Sequence, residues 1–161
     1  MTKPLYKFYQ RKELLEGDLR SSLRTILYPV PLPEYVLDRL TFKPEQLICI
    51  EFANKLRAYT DSGELECVWF HPENENANNR QKLYGKIVAM MGKIPGAPDF
   101  VFMRHDKSAC IEMKSAVGRQ SDNQKIFERW CQETDAKVPY AIARTADEGL
   151  ALLRQWGFLR T

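Results

Sequence analysis

No apolar run in the chain is long enough to cross a membrane. The longest uncharged stretches, LICI at 47–50 and IVAMMG at 87–92, fall well short of the roughly 20 residues a spanning helix needs. The opening MTKPLYKFYQRKELLEG carries a charge every few positions where a secretory leader would need an apolar core. The expected location is therefore cytoplasmic, in a host cytoplasm if the source is viral. Cys49, Cys67, Cys110 and Cys131 are spaced by 18, 43 and 21 residues, each inside an apolar or periodic stretch. The close pair a zinc site wants and the tight cluster an iron–sulfur centre wants are both missing, so the four read as reduced core thiols. Repeats, low-complexity tracts, helix-turn-helix and zinc-finger patterns are also missing. Net charge is only +3, too little to indicate a nucleic-acid partner by itself.

What is present is enough for one sizeable core: 161 residues, 44% hydrophobic and 28% charged, close to the soluble average. The charge is unevenly distributed. Between Asn76 and Pro98 stand Arg80, Lys82, Lys86 and Lys93 and no acidic residue. Most such runs are solvated helix faces, but this one leads directly into Asp99.

Punctuation and periodicity divide the chain. The proline cluster YPVPLPEY, 28–35, closes an N-terminal helical extension, 1–43, whose leucines and aromatics fall at loose helical spacing and are expected to pack on the rest. A helix is predicted from Pro44, with Ile48, Phe52, Leu56 and Tyr59 on one stripe and Asp61 to Gly63 as its stop. ELECVWF, 64–70, suits a strand and HPENENANN a loop. RQKLYGKIVAMM reads as a helix with Leu83, Ile87, Met90 and Met91 inward. DFVFM and ACIEMK read as strands joined by the turn RHDKS. Ser121 with Gln124, and Thr145 with Glu148, are capping-box pairs that open two further helices around the strand VPYAIA, 138–143. The expected fold is α/β with a mixed central sheet flanked by helices.

The chemistry lies in PGAPDF and IEMK. Residues two apart on a strand share a face, so Glu112 and Lys114 point together while Ile111 and Met113 point into the core. If the hairpin closes on Asp106 and Lys107, or with a four-residue loop, Asp99 pairs with Lys114 and stands diagonal to Glu112. The two carboxylates then lie roughly 7 to 8 Å apart at the backbone, a span over which they can converge on one cation. Magnesium prefers one or two carboxylates with water and phosphate oxygens, and the backbone carbonyl of Met113 could add a ligand. Lys114 would neutralise charge developing at a phosphorus centre. The implied reaction is metal-assisted phosphodiester hydrolysis.

Pro98-Asp99 and Glu112-Met113-Lys114 resemble the two motif halves of the PD-(D/E)XK nuclease superfamily. More narrowly, Gly92, Pro95, Gly96, Pro98 and Asp99, with Gly118 and Gln124 after the lysine and Glu51 in the first core helix, resemble the virus-type replication-repair nuclease (VRR-NUC) domain, over 44–161. The resemblance implies a restriction-endonuclease-like core. It also implies Mg2+ or Mn2+ held by Asp99, Glu112, Met113 and Glu51, catalysis by Lys114 with Asp99 and Glu112, and Gln124 orienting groups at the edge. The substrate it implies is DNA, branched or as four-way junctions, and the assembly a homodimer.

Each assignment has a plainer reading beside it. Glu112 and Lys114 could be a solvated edge pair, though a strand followed by a helix and another strand is expected to be internal. Asp99 could be a turn residue, Gln124 a helix cap only, and Glu51 an exposed glutamate. His71 and His105 read as structural or solvated. Arg80, Lys82, Lys86 and Lys93, extended by Lys125 and Arg129 one turn apart, form the expected DNA track, which would read backbone and shape rather than bases. The alternative outside enzymes is a non-catalytic nucleic-acid-binding or inhibitor protein on a nuclease fold.

Overall fold

The computed structural model describes residues 19–29, 35, 39–72, 86–87 and 89–160. The chain divides into two compact units, Met1–Thr41 and Phe42–Thr161. In the first, one helix is described, α1 (Leu19–Leu27), ending just before Pro29; the extension's earlier residues lie outside the described ones.

The second unit begins with α2 (Pro44–Ser62). Its proline occupies the first helical position, where an amide hydrogen has no partner to lose, and Lys43 N donates to Gln46 Oε1 at 2.9 Å. Gly63, at φ 80°, closes it in the left-handed conformation. The sheet follows in sequence order: β1 (Val68–Phe70), β2 (Phe100–Arg104), β3 (Lys107–Met113) and β4 (Tyr140–Ala143). β1, β2 and β3 are antiparallel neighbours, and β4 lies parallel to β3. That last pairing requires a crossover, which is α3 (Asp122–Glu133), and the unit ends with α4 (Ala146–Gln155). This is an α/β fold with a mixed sheet and β3 internal, as the sequence indicates. Among the described residues no helix is long and apolar enough to cross a membrane.

Alternation along the strands splits the core in two. Phe100, Phe102, Ala109, Ile111 and Met113 face α2 and α4, packing against Phe52, Leu56, Leu150 and Leu153. Val101, Cys110 and Tyr140 face the other way, against Phe127 and Cys131 of α3. The predicted helices at 122 and 146 keep their starts. Ser121 Oγ accepts from Gln124 N, and Gln124 Oε1 from Ser121 N. Thr145 Oγ1 accepts from Glu148 N, while Glu148 reaches one residue further back than a capping box does, to Arg144 N at 2.6 Å.

Two expectations are corrected. The β2–β3 hairpin turns on His105 and Asp106, with Arg104 opposite Lys107, so its register is two residues away from the one that pairs Asp99 with Lys114. In the segment leading to Asp99, Ile87, Met90 and Met91 are exposed rather than inward, Met90 and Met91 at 87% and 80%. The two faces of the sheet are covered instead by α2 and α4 on one side and by α3 on the other. Leu83 lies outside the described residues.

Candidate metal centre at the end of β3

A register slip of one residue would have turned every side chain of β3 over; a slip of two leaves each on its face. Asp99, one place before the last paired residue Phe100, therefore comes opposite Glu112 instead of Lys114. It departs from the regular ladder there, its Oδ2 accepting from Met113 N at 2.7 Å. The trans peptide that sends Lys114 N–H to Ala143 O turns the Met113 carbonyl the opposite way, to the side of Asp99. Asp99 itself is delivered by a tight loop. Gly96, at φ +85°, lies so close to the backbone of Asn123 and Gln124 that a Cβ would overlap it. The loop of PGAPD thus sits directly on the first turn of α3.

Glu112 and Lys114, two residues apart, form a buried ion pair, Nζ to Oε1 at 2.7 Å. Glu112 is 1% exposed and Lys114 7%. Gln124 Nε2 donates to the same Oε1 in a very short contact, so its capping and site roles coexist: Oε1 closes the cap while Nε2 reaches Glu112. Glu112 Oε2 is buried with no hydrogen-bond partner. Burial, and then the neighbouring Asp99 charge, push the Glu112 carboxyl up to about 7 against the opposing pull of Lys114. Asp99 is also raised, by burial, against the Met113 N–H, His71 and Lys114. Burial works to lower the Lys114 ammonium, but Glu112 beside it outweighs that and leaves it raised.

Glu51 is not brought to this cluster. Its side chain is 59% exposed and pairs with Lys55 at 3.0 Å, which also bridges to Asp147 on α4. The helix carboxylate that does reach the cluster is Glu45: Oε2 lies 4.0 Å from Lys114 Nζ and Oε1 accepts from Ser115 N at 3.3 Å. One turn on, Cys49 faces the same charges, and burial with Asp99, Glu112 and Glu45 lifts its thiol to about 12. His71, read from sequence as structural or solvated, packs on Phe100 at 5.1 Å and lies near enough to favour the Asp99 carboxylate.

The expected DNA-track residues are described only in part. Arg80 and Lys82 lie outside the described residues, Lys86 is exposed and Lys93 half-buried. Lys125 is spent on Asp122 at 3.0 Å, and Arg129 binds Glu133 through two nitrogens, each at 2.9 Å.

Among the described residues no group of three or more His, Cys, Asp or Glu side chains is arranged to hold a metal ion. The cluster offers one buried carboxylate, Glu112, and one half-buried, Asp99, with a turned backbone carbonyl and an orphaned carboxylate oxygen. With Glu45 included, the Lys114 ammonium is paired with two carboxylates and feels the charge of a third, Asp99. Such a site is short of positive charge, and a hard divalent cation, which needs few protein oxygens and keeps its waters, fits that donor set. No family model, curated protein or solved structure matches the chain.

Proposed function

We propose that the chain is a metal-dependent nuclease of the PD-(D/E)XK, VRR-NUC type that hydrolyses DNA phosphodiester bonds. The observation that carries this reading is the buried Glu112 carboxylate: one oxygen is held by Lys114 and Gln124, the other lacks any partner, and Asp99 lies beside it. A buried carboxylate left this way costs free energy, and a cation relieves it. Asp99 and Glu112 would hold magnesium or manganese, with the Met113 carbonyl on the same side. The ion, when bound, supplies Lewis-acid polarisation of the phosphate and a water of lowered pKa. Gln124 fixes the Glu112 carboxylate. Lys114, kept charged by Glu112, stabilises negative charge on the phosphoryl oxygens. A preference for branched DNA and assembly as a homodimer come with the family resemblance and form part of the same proposal.

The experiment is incubation of purified protein with a labelled four-way junction, a matched duplex and an RNA hairpin, each with magnesium and with chelator. The expected result is metal-dependent DNA cleavage, fastest on the junction. Glu112→Ala and Lys114→Ala should each lose roughly three orders of magnitude or more while remaining folded. Full cleavage by either variant removes the assigned site. Binding without turnover in the wild type points instead to a non-catalytic nucleic-acid-binding protein.

A further inference from the structure

Beyond Lys114 the chain leaves the sheet in a turn, closed by Gly118 N donating to Ser115 O at 3.0 Å. The tip of the turn is open to solvent, with Val117 88% exposed, yet three of its carbonyls are gathered by one nitrogen. Arg144 Nη1 donates to Ser115 O in a very short contact, to Ala116 O at 3.2 Å and to Gly118 O at 3.3 Å. Arg144 immediately follows Ala143, the residue that receives the Lys114 N–H, and its own backbone N–H is fixed by Glu148. Glu45 also takes Ser115 N and packs against Gly118. Thus the segment directly after Lys114 is held by two residues, Arg144 and Glu45, the second of which also reaches Lys114.

We propose that Arg144 is a positioning residue: it holds the 115–118 turn, and through it Lys114, in place for the reaction. The inference rests on the nuclease reading for its consequence, though not for the clamp itself. The contacts use a single nitrogen as a point donor rather than the guanidinium fork. An ammonium can serve a point-donor role, whereas bidentate grip on a phosphate needs the fork. That distinction makes the proposal testable against the obvious rival, in which Arg144 is a phosphate contact.

The test compares wild type, Arg144→Ala, Arg144→Gln and Arg144→Lys by amide hydrogen exchange across 114–119 and by cleavage kinetics at several salt concentrations. Arg144→Ala and Arg144→Gln should exchange the turn amides at least tenfold faster. They should also lose about 10- to 100-fold in kcat, the scale of a small misplacement of a reacting group, with KM within about twofold and the salt dependence of binding unchanged. Arg144→Lys should recover most of both losses. Unchanged exchange in Arg144→Ala overturns the clamp. Faster exchange with intact kcat overturns its role in the reaction, and a raised KM with a flattened salt slope makes Arg144 a phosphate contact instead. If wild type cleaves nothing, the nuclease reading falls with the role built on it, while the exchange result still decides whether the clamp exists.

Discussion

Replacing Glu112 with glutamine removes a charge and almost no volume, and the structure dictates an unusual consequence for stability. The carboxyl lies at about 7 in the folded protein against 4.5 for the ordinary side chain. The folded state is then the better proton binder, so the stability contribution of this group is complete below pH 4.5 and is lost as pH rises towards 7. At about 1.36 kcal/mol for each tenfold change in proton affinity, the full loss is about 3 kcal/mol, of which about 2 to 3 kcal/mol falls between pH 5 and pH 8. For a unit of this size that corresponds to about 10 °C in Tm. The assay is thermal or urea unfolding of wild type and Glu112→Gln at both pH values with chelator present. Wild type should lose stability across the interval, and the variant should lose less by about the amount calculated, becoming the more stable protein at pH 8. Asp99, also raised by burial, acts in the same direction, and because its charge and that of Glu112 repel, the variant also eases Asp99, which adds to the difference between the two proteins. Saturating manganese at pH 8 should stabilise wild type and not the variant, since an ion that binds only the folded state raises stability by mass action. Identical pH slopes in the two proteins would refute the account of Glu112 as a strained buried carboxylate.

Two further outcomes follow from the same geometry. Gly96→Ala forces a side chain into left-handed backbone and onto the start of α3, so it should destabilise by about 2 to 4 kcal/mol; a urea midpoint shift equivalent to under about 0.5 kcal/mol would mean the loop does not pack there. For DNA contact, Lys86→Glu should weaken binding and lower the salt slope by about one, whereas Arg129→Ala, which removes a cation already bound to Glu133, should change affinity less than about twofold; anisotropy titrations that rank the two in reverse order would move the DNA track onto α3.

Much of the fold is written locally and was therefore legible. Capping pairs at Ser121 and Thr145, proline at 44 and glycine at 63 mark helix ends through groups within four residues of one another, so no tertiary information is needed to find them. The faces of β2 and β3 survive an error in the turn because strand alternation has a period of two and the error was also two. The same parity kept Asp99, Glu112 and Lys114 together. What alternation could not supply was which of the two charged partners stands opposite Asp99. That depends on whether the tight turn uses His105-Asp106 or Asp106-Lys107, and both are polar pairs suited to a turn.

The helix carboxylate shows a different limit, and a signal that was available. Which face of α2 meets the end of β3 is a tertiary matter, yet the apolar stripe fixes it once the packing is known. Phe52 and Leu56 are fully buried, and stepping back along their stripe by three and then four residues reaches Cys49 and Glu45. Glu51, immediately beside Phe52 in sequence, is turned about 100° away from it and emerges among Lys55 and Asp147. A carboxylate meant for a site at the strand ends has to continue the buried stripe into the first turn of the helix, where the stripe leaves the core and reaches the rim. Extending the stripe of apolar residues by two positions would have selected Glu45 over Glu51. The paired cations of α3 could likewise have been set aside, since Asp122 with Lys125 and Arg129 with Glu133 stand at the spacings where opposite charges on a helix neutralise each other. At this site the spacing between charges carried more information than their number.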